Sequence, residues 1–318
     1  MKAAWDWHLP RNTEAEQRAA VEFAQTCGFD TLIVNQPTEV MARRGEALGV
    51  RVVAVVTPNA TEAFREAHPA CLQRILPAEE AIAAAVAGQA PRDYQHLSHR
   101  WFSLVQGGRL LCYGHPESRE ELKRRVREAL AVADGVAFDG FGFQNHYACF
   151  CERCAAIRKG MTPEGGEMAE AEAIGKMSEE SLVAISRVLY ACAKSAKADA
   201  VVTTHVWPPF NPNPYYGSRL RLDYCTQTIS WFYRPAWSLE RVAFEAAEMK
   251  RLEDRSANVF VPFIGVYGDP YHVRTPDRLA QELEIAAQYG HVAFCTLEAP
   301  QKYPEIFQIV KAALARMA

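Results

Sequence analysis

No window of this 318-residue chain approaches the uninterrupted apolar length that a bilayer-spanning helix needs. The opening stretch, Met1 to His8, lacks the apolar run of a secretory signal. Excess positive charge is missing too: 35 Lys and Arg stand against 38 Asp and Glu, a formal net charge of -3. That balance argues against a general nucleic-acid binder or membrane-surface protein. No G-x-G-x-x-G opens a helix after the first predicted strand, which weakens a dinucleotide-binding reading. An even cysteine framework is also absent. The 9 cysteines, with no signal segment, disfavour disulfides and favour buried thiols plus a metal cluster. The expectation is a soluble, cytoplasmic protein with no nucleic-acid or membrane partner.

What is present is a regular alternation of apolar strands and amphipathic helices. At 49% hydrophobic and 23% charged residues, the chain has enough apolar material for a large core. Predicted strands cover Lys2–His8, Thr31–Asn35, Arg51–Thr57, Gly135–Phe143, Ala200–Trp207, Tyr224–Trp231, Asn258–Tyr267 and His291–Leu297. Helices are expected at Thr13–Cys27, Glu39–Leu48, Ser118–Ala133, Ser178–Lys197, Ser238–Leu252, Pro276–Tyr289 and Glu305–Arg316. Thr13 with Glu16 has the spacing of a capping box, and Gly28 and Gly49 stand where helices stop. Near-continuous apolar strands suit a parallel sheet covered on its outer face. Eight β/α units predict an α/β fold, a single (β/α)8 TIM barrel spanning residues 1–318. Residues 59–108 break the spacing and are predicted to be an insertion above strand three. They include an Ala-rich helix at Ala78–Ala87 and a polar, aromatic segment at Tyr94–Trp101. A doubly wound open sheet is the competing architecture.

In such barrels chemistry sits at the C-terminal ends of the strands. The residues predicted there mix flat aromatic faces with carboxylates, amides and imidazoles. Trp7, His8, Asn35, His205, Trp207, Trp231, Tyr233 and Tyr267 form a candidate substrate-binding set. Sugars present apolar C–H faces to Trp and Tyr, and hydroxyl rims to polar groups, so a carbohydrate is the expected partner. Most glycoside hydrolases work with a pair of carboxylates. Asp139 ends the apolar fourth strand, with Gly140 and Gly142 leaving room for a ligand. It is the candidate nucleophile or base. Glu298, after strand eight, and Asp269, after strand seven, are its candidate acid partners. Asp223 opens strand six instead, at the barrel floor, where residues usually serve stability.

Just beyond Asp139, Cys149, Cys151 and Cys154 form a C-x-C-x-x-C cluster. Structural zinc sites take four thiolate or imidazole ligands. Cys112, in the loop before the Ser118–Ala133 helix, is the chosen fourth ligand, with His146 and His115 as alternatives. A structural Zn2+ there would tie two neighbouring mouth loops together. The other cysteines, Cys27, Cys71, Cys192, Cys225 and Cys295, are expected to be small core residues.

Cys112, the acidic residue ending strand four and the C-x-C-x-x-C cluster together resemble the family 42 glycoside hydrolases, the β-galactosidases. The resemblance covers about residues 111–158. It implies a (β/α)8 barrel, a retaining mechanism, a structural zinc held by these cysteines, and an oligomer. The family's Asn-Glu pair at strand four is absent here, and no Glu ends strand seven. An Asp ending strand four resembles instead the nucleophile position of α-glycosidase clans. The expected function is therefore hydrolysis of O-glycosyl bonds through a carboxylate pair. The alternatives are a metal-dependent TIM-barrel hydrolase or isomerase using Asp6, His8 and His205, and a catalytically degenerate sugar-binding barrel.

Overall fold

A computed structural model describes residues 1–6, 11–74, 108–141, 149–161, 167–206, 216–230, 237–266 and 274–317. Eight parallel strands close into a barrel in sequence order. They are β1 (Lys2–Trp5), β2 (Thr31–Val34), β3 (Arg51–Val56), β4 (Gly135–Phe138), β5 (Val201–Val206), β6 (Tyr224–Ser230), β7 (Val259–Gly265) and β8 (Val292–Cys295). The ring shuts where Lys2 to Trp5 pair with Val292 to Cys295. This is the predicted (β/α)8 architecture, and the open-sheet alternative falls with the closure.

The described helices are α1 (Glu14–Cys27), α2 (Glu39–Leu48), α3 (Glu62–Ala67), α4 (Pro116–Leu130), α5 (Glu152–Met161), α6 (Glu167–Ala196), α7 (Leu239–Glu253), α8 (Pro276–Ala287), α9 (Glu298–Lys302) and α10 (Pro304–Arg316). Local chemistry sets their ends. The Thr13 hydroxyl accepts from the Glu16 N–H, and the Glu16 carboxylate accepts from the Thr13 N–H, so two unpaired donors of α1 are satisfied. Gly28, at φ 97°, then turns the chain out of the helix.

Side chains fill the barrel interior. Trp5, His205 and Phe263 come from three odd-numbered strands and pack together, with the His205 and Phe263 rings stacked at 4.3 Å. Layers built from alternate strands are the packing rule of this fold. Outside the barrel lie two apolar clusters. One joins α1, α2, α7, α8 and α10 to the strands beneath them. The other joins α4 and α6 to β3, β4 and β5. Each large side chain buried there, such as Leu32 or Leu189, contributes roughly 1.5–3 kcal/mol.

Some strand and helix limits differ from the sequence expectation. β4 ends at Phe138 rather than Phe143, because Gly140 takes φ 75° and turns the chain. Phe141 then packs back onto Tyr113, whose hydroxyl donates to the Phe141 carbonyl at 3.0 Å. Helices α3, α5 and α9 were not expected, and α6 begins at Glu167 rather than Ser178. Within the predicted insertion, Asn59 and Leu72 form antiparallel bridges to Leu110 and Leu111. Residues 75–107, including the predicted Ala-rich helix, lie outside the described residues. No helix among the described residues is long and apolar enough to cross a membrane.

Candidate functional site

Asp139 follows the last residue of β4, and its N–H donates to the Val56 carbonyl of β3 at 3.1 Å. Its side chain is 17% exposed, so the carboxylate is held by the barrel yet reachable from the mouth. Oδ1 lies 3.3 Å from Nδ1 of His205 on β5. The other ring nitrogen, Nε2, lies 3.0 Å from Oγ1 of Thr228 on β6. Thr228 in turn donates its hydroxyl proton to the Val206 carbonyl at 3.0 Å. His205 thus bridges Asp139 on one side and Thr228 on the other. Trp5 and Phe263 wall the imidazole from solvent.

Asp6 directly follows β1 and is fully buried. It forms an ion pair with Arg11, and its Oδ1 accepts from the Leu297 N–H at 3.3 Å. Arg11 also donates to the Asp6 carbonyl at 3.3 Å. Desolvation holds the Arg11 guanidinium below its usual pKa. This knot ties β1 to the segment after β8. Asp6 and His205, two of the three ligands expected of a metal-dependent hydrolase, thus have protein partners already.

Glu298 begins α9, directly after β8, and is half-buried. Its N–H donates to Thr296 Oγ1 at 3.2 Å. Asn35 follows β2 and is exposed; Gln36 beside it takes φ 48°. Both line a cavity of about 980 Å3 that runs from Arg11 and Thr57 down the groove between α2 and α4. That groove lies on the outer flank, apart from Asp139. Asp223 sits at the barrel floor as expected. Its carboxylate receives Lys194 at 2.7 Å and the Val202 N–H at 2.9 Å. Asp269, Trp7, His8, Trp207, Trp231, Tyr233, Tyr267 and His146 lie outside the described residues.

The cysteine cluster assembles from two loops. Cys112, Cys149, Cys151 and Cys154 are all buried, and their sulfurs lie within 4.8 Å of one another. Cys112 Sγ is 3.8 Å from Cys151 Sγ and 3.4 Å from Cys154 Sγ. Sulfurs bound tetrahedrally to one ion at about 2.3 Å stand about 3.8 Å apart. The four can hold a metal ion. The thiol contacts hold Cys149 and Cys151 low and push Cys112 and Cys154 up, so the four sulfurs act on one another as a single group. The backbone is shaped around them. The Arg74 N–H donates to Cys149 Sγ at 3.4 Å, and Arg158 donates to the Cys149 carbonyl at 2.5 Å. A Cβ at Gly114 would sit 3.2 Å from Cys154 Sγ and 3.5 Å from Cys112 Sγ, so a side chain there would crowd the sulfurs. His115 stands beside this set rather than in it, with Nε2 3.6 Å from Cys151 Sγ.

The partners Thr228 and Arg11 were not foreseen. Thr228 sits in a run of β-branched strand residues, and Arg11 falls between predicted elements. Cys71 is buried as expected, but its thiol meets Glu117 at 3.6 Å. Cys192 is only half-buried and donates to the Lys123 carbonyl.

No family model matches the chain, and no curated protein matches it. Solved structures do. A β-galactosidase from Marinomonas ef1 is similar over 99% of this chain and 59% of its own, at 12% identity and a TM-score of 0.65. One from the haloarchaeon Halorubrum lacusprofundi is similar over 99% and 58%, at 14% identity and a TM-score of 0.67. The catalytic domain of a β-amylase from Paenibacillus polymyxa is similar over 100% and 98%, at 9% identity and a TM-score of 0.59. The chain spans less than two thirds of either β-galactosidase and nearly all of the β-amylase domain. Likeness at these identities shows the fold alone: a (β/α)8 barrel of the kind these enzymes share.

Proposed function

We propose that the chain is a glycoside hydrolase acting on a carbohydrate at the barrel mouth. The observation that carries this reading is the placement of Asp139. It is a partly exposed carboxylate at the C-terminal end of β4, buttressed by buried His205 on the next strand. The His205 contact fixes the Asp139 carboxyl in place, positioned to act as nucleophile or base. A second carboxyl group must protonate the leaving oxygen. Glu298 and Asp269 are the candidates, one after β8 and the other after β7. Trp7, His8, Trp207, Trp231, Tyr233 and Tyr267 remain the proposed sugar-binding set, while Asn35 lines the flanking groove instead.

The four-thiol cluster is assigned to one structural Zn2+ held by Cys112, Cys149, Cys151 and Cys154. Four thiolates close the coordination shell and leave no position for water or substrate. Bound there, the ion supplies a crosslink between the loop after β3 and the loop after β4, the one that begins at Asp139.

A glycoside panel tests this reading on wild type and Asp139→Asn. Turnover of at least one glycoside is expected, falling about 10²–10⁴-fold or more in the variant. Activity that survives Asp139→Asn removes the assignment. Saturable oligosaccharide binding with no turnover across the panel would leave a binding barrel instead.

A further inference from the structure

We propose that Cys71, His115 and Glu117, sharing the Cys151 thiolate with the neighbouring cluster, form a second binding site for a zinc-class divalent cation. The ligand atoms of the three residues all lie within 4.8 Å of one another. Cys71 Sγ is 3.6 Å from Glu117 Oε2, and Cys151 Sγ is 3.6 Å from His115 Nε2. Tetrahedral zinc bonds sulfur at about 2.3 Å and nitrogen or oxygen at about 2.0–2.2 Å, which separates sulfur from either atom by about 3.5–3.7 Å. Both observed contacts fall in that range.

The donors are held in place by backbone. Cys71 ends a 3-10 turn at Pro69–Cys71, while His115 and Glu117 flank the start of α4. The Cys71 carbonyl accepts from Ser118 Oγ at 2.8 Å and from the Cys112 N–H at 2.9 Å. Those two bonds fasten the turn both to α4 and to the first cluster. Burial grades outward: Cys71 is buried, His115 half-buried and Glu117 exposed, so an ion has an entry path from solvent. The donor set of thiolate, imidazole and carboxylate suits zinc and not magnesium or calcium, which take oxygen ligands. Binding would displace the Cys71 thiol proton to solvent. Cys151 would then bridge two ions, one in a four-sulfur shell and one in a mixed shell.

A simpler account needs no ion: His115 donates an N–H to the Cys151 thiolate, and Cys71 donates its thiol proton to Glu117. Metal counting separates the two. The purified chain is loaded with Zn2+, desalted and assayed for zinc per chain. The site borrows Cys151 and so rests on the four-thiol assignment, but the two fail differently. Two equivalents in wild type, falling to one in His115→Ala and in Cys71→Ser, are expected. His115 is half-buried, so its variant folds even if the Cys71 variant does not. One equivalent in wild type leaves the four-thiol ion and overturns the second site. Zero overturns both, and two equivalents retained in His115→Ala overturn the location. Co2+ loading gives an independent reading, with a second absorbing equivalent in wild type that His115→Ala lacks.

Discussion

Glu253, the last residue of α7, has almost no exposure and collects three donors. Gln227 Nε2 reaches it at 2.6 Å, Ser256 Oγ at 2.6 Å and Asn258 Nδ2 at 3.2 Å. Desolvation nevertheless dominates and pushes its carboxyl above the usual carboxylate range. The native state therefore keeps this proton to higher pH than the unfolded chain does. Its contribution to stability is fully present below the unfolded value of about 4.3 and is lost as pH rises through the raised native value. Urea unfolding across that window should show stability declining with pH more steeply in wild type than in Glu253→Gln. Equal slopes would mean that Glu253 titrates as it does in water. The Glu253 environment was not legible in the sequence, because its partners come from β6 and from the turn before β7. Asp139 and the C-x-C-x-x-C cluster were legible because their signals are local: an apolar run ending on a carboxylate, and thiols at fixed short spacing. Thr228 was hidden for the same reason as Gln227. Its role depends on which strand stands beside it.

Between β6 and α8 a charged knot is buried. Glu282 is fully buried and receives Arg274 at 2.6 Å, Arg278 at 2.7 Å and Ser230 at 2.7 Å. Arg274, itself 7% exposed, also donates to Ser230 at 2.7 Å. Glu282→Ala would remove the carboxylate that pairs with both Arg274 and Arg278 in a desolvated place. A cost of about 3–5 kcal/mol is expected from breaking a buried pair in this way. Denaturant midpoints of wild type and variant check it, and a change below about 1 kcal/mol would mean that water replaces the carboxylate. The boundaries of the elements were readable where caps mark them, as with Thr13 and Gly28 on α1 or the Glu39–Leu48 limits of α2. They were lost around the cysteines. Gly160 and Gly175 there suggest loop, yet both lie within helices, α5 and α6. A helical glycine costs about 1 kcal/mol relative to alanine, which tertiary contacts can offset. The contacts between α5 and α6 are invisible to a local pattern.

Among the described residues, two large apolar clusters pack on the barrel and a separate small one surrounds the thiols. The small cluster contains Cys112, Cys149, Cys151, Cys154 and Met177, with Met161 against it, and shares no residue with the other two. Among the described residues few apolar groups hold it, so a bound ion would be a main tie. The barrel was legible because short, largely apolar strands alternate with amphipathic helices. The division into clusters was not, because it depends on which helices meet across the strands. The division makes a prediction about metal removal. A chelator should strip the thiol site and loosen the loops it joins, while the barrel keeps its own cores. Hydrogen exchange should then rise in residues 108–118 and 149–161, with β1, β2 and β6 to β8 still protected and the far-ultraviolet spectrum largely unchanged. Asp139, two residues before the anchored Phe141, would lose its fixed geometry, so glycoside turnover should fall with the metal and return on adding Zn2+. Cooperative loss of the whole fold on chelation would contradict this. It would place the thiol cluster inside the folding unit of the barrel instead of in a crosslink laid over it.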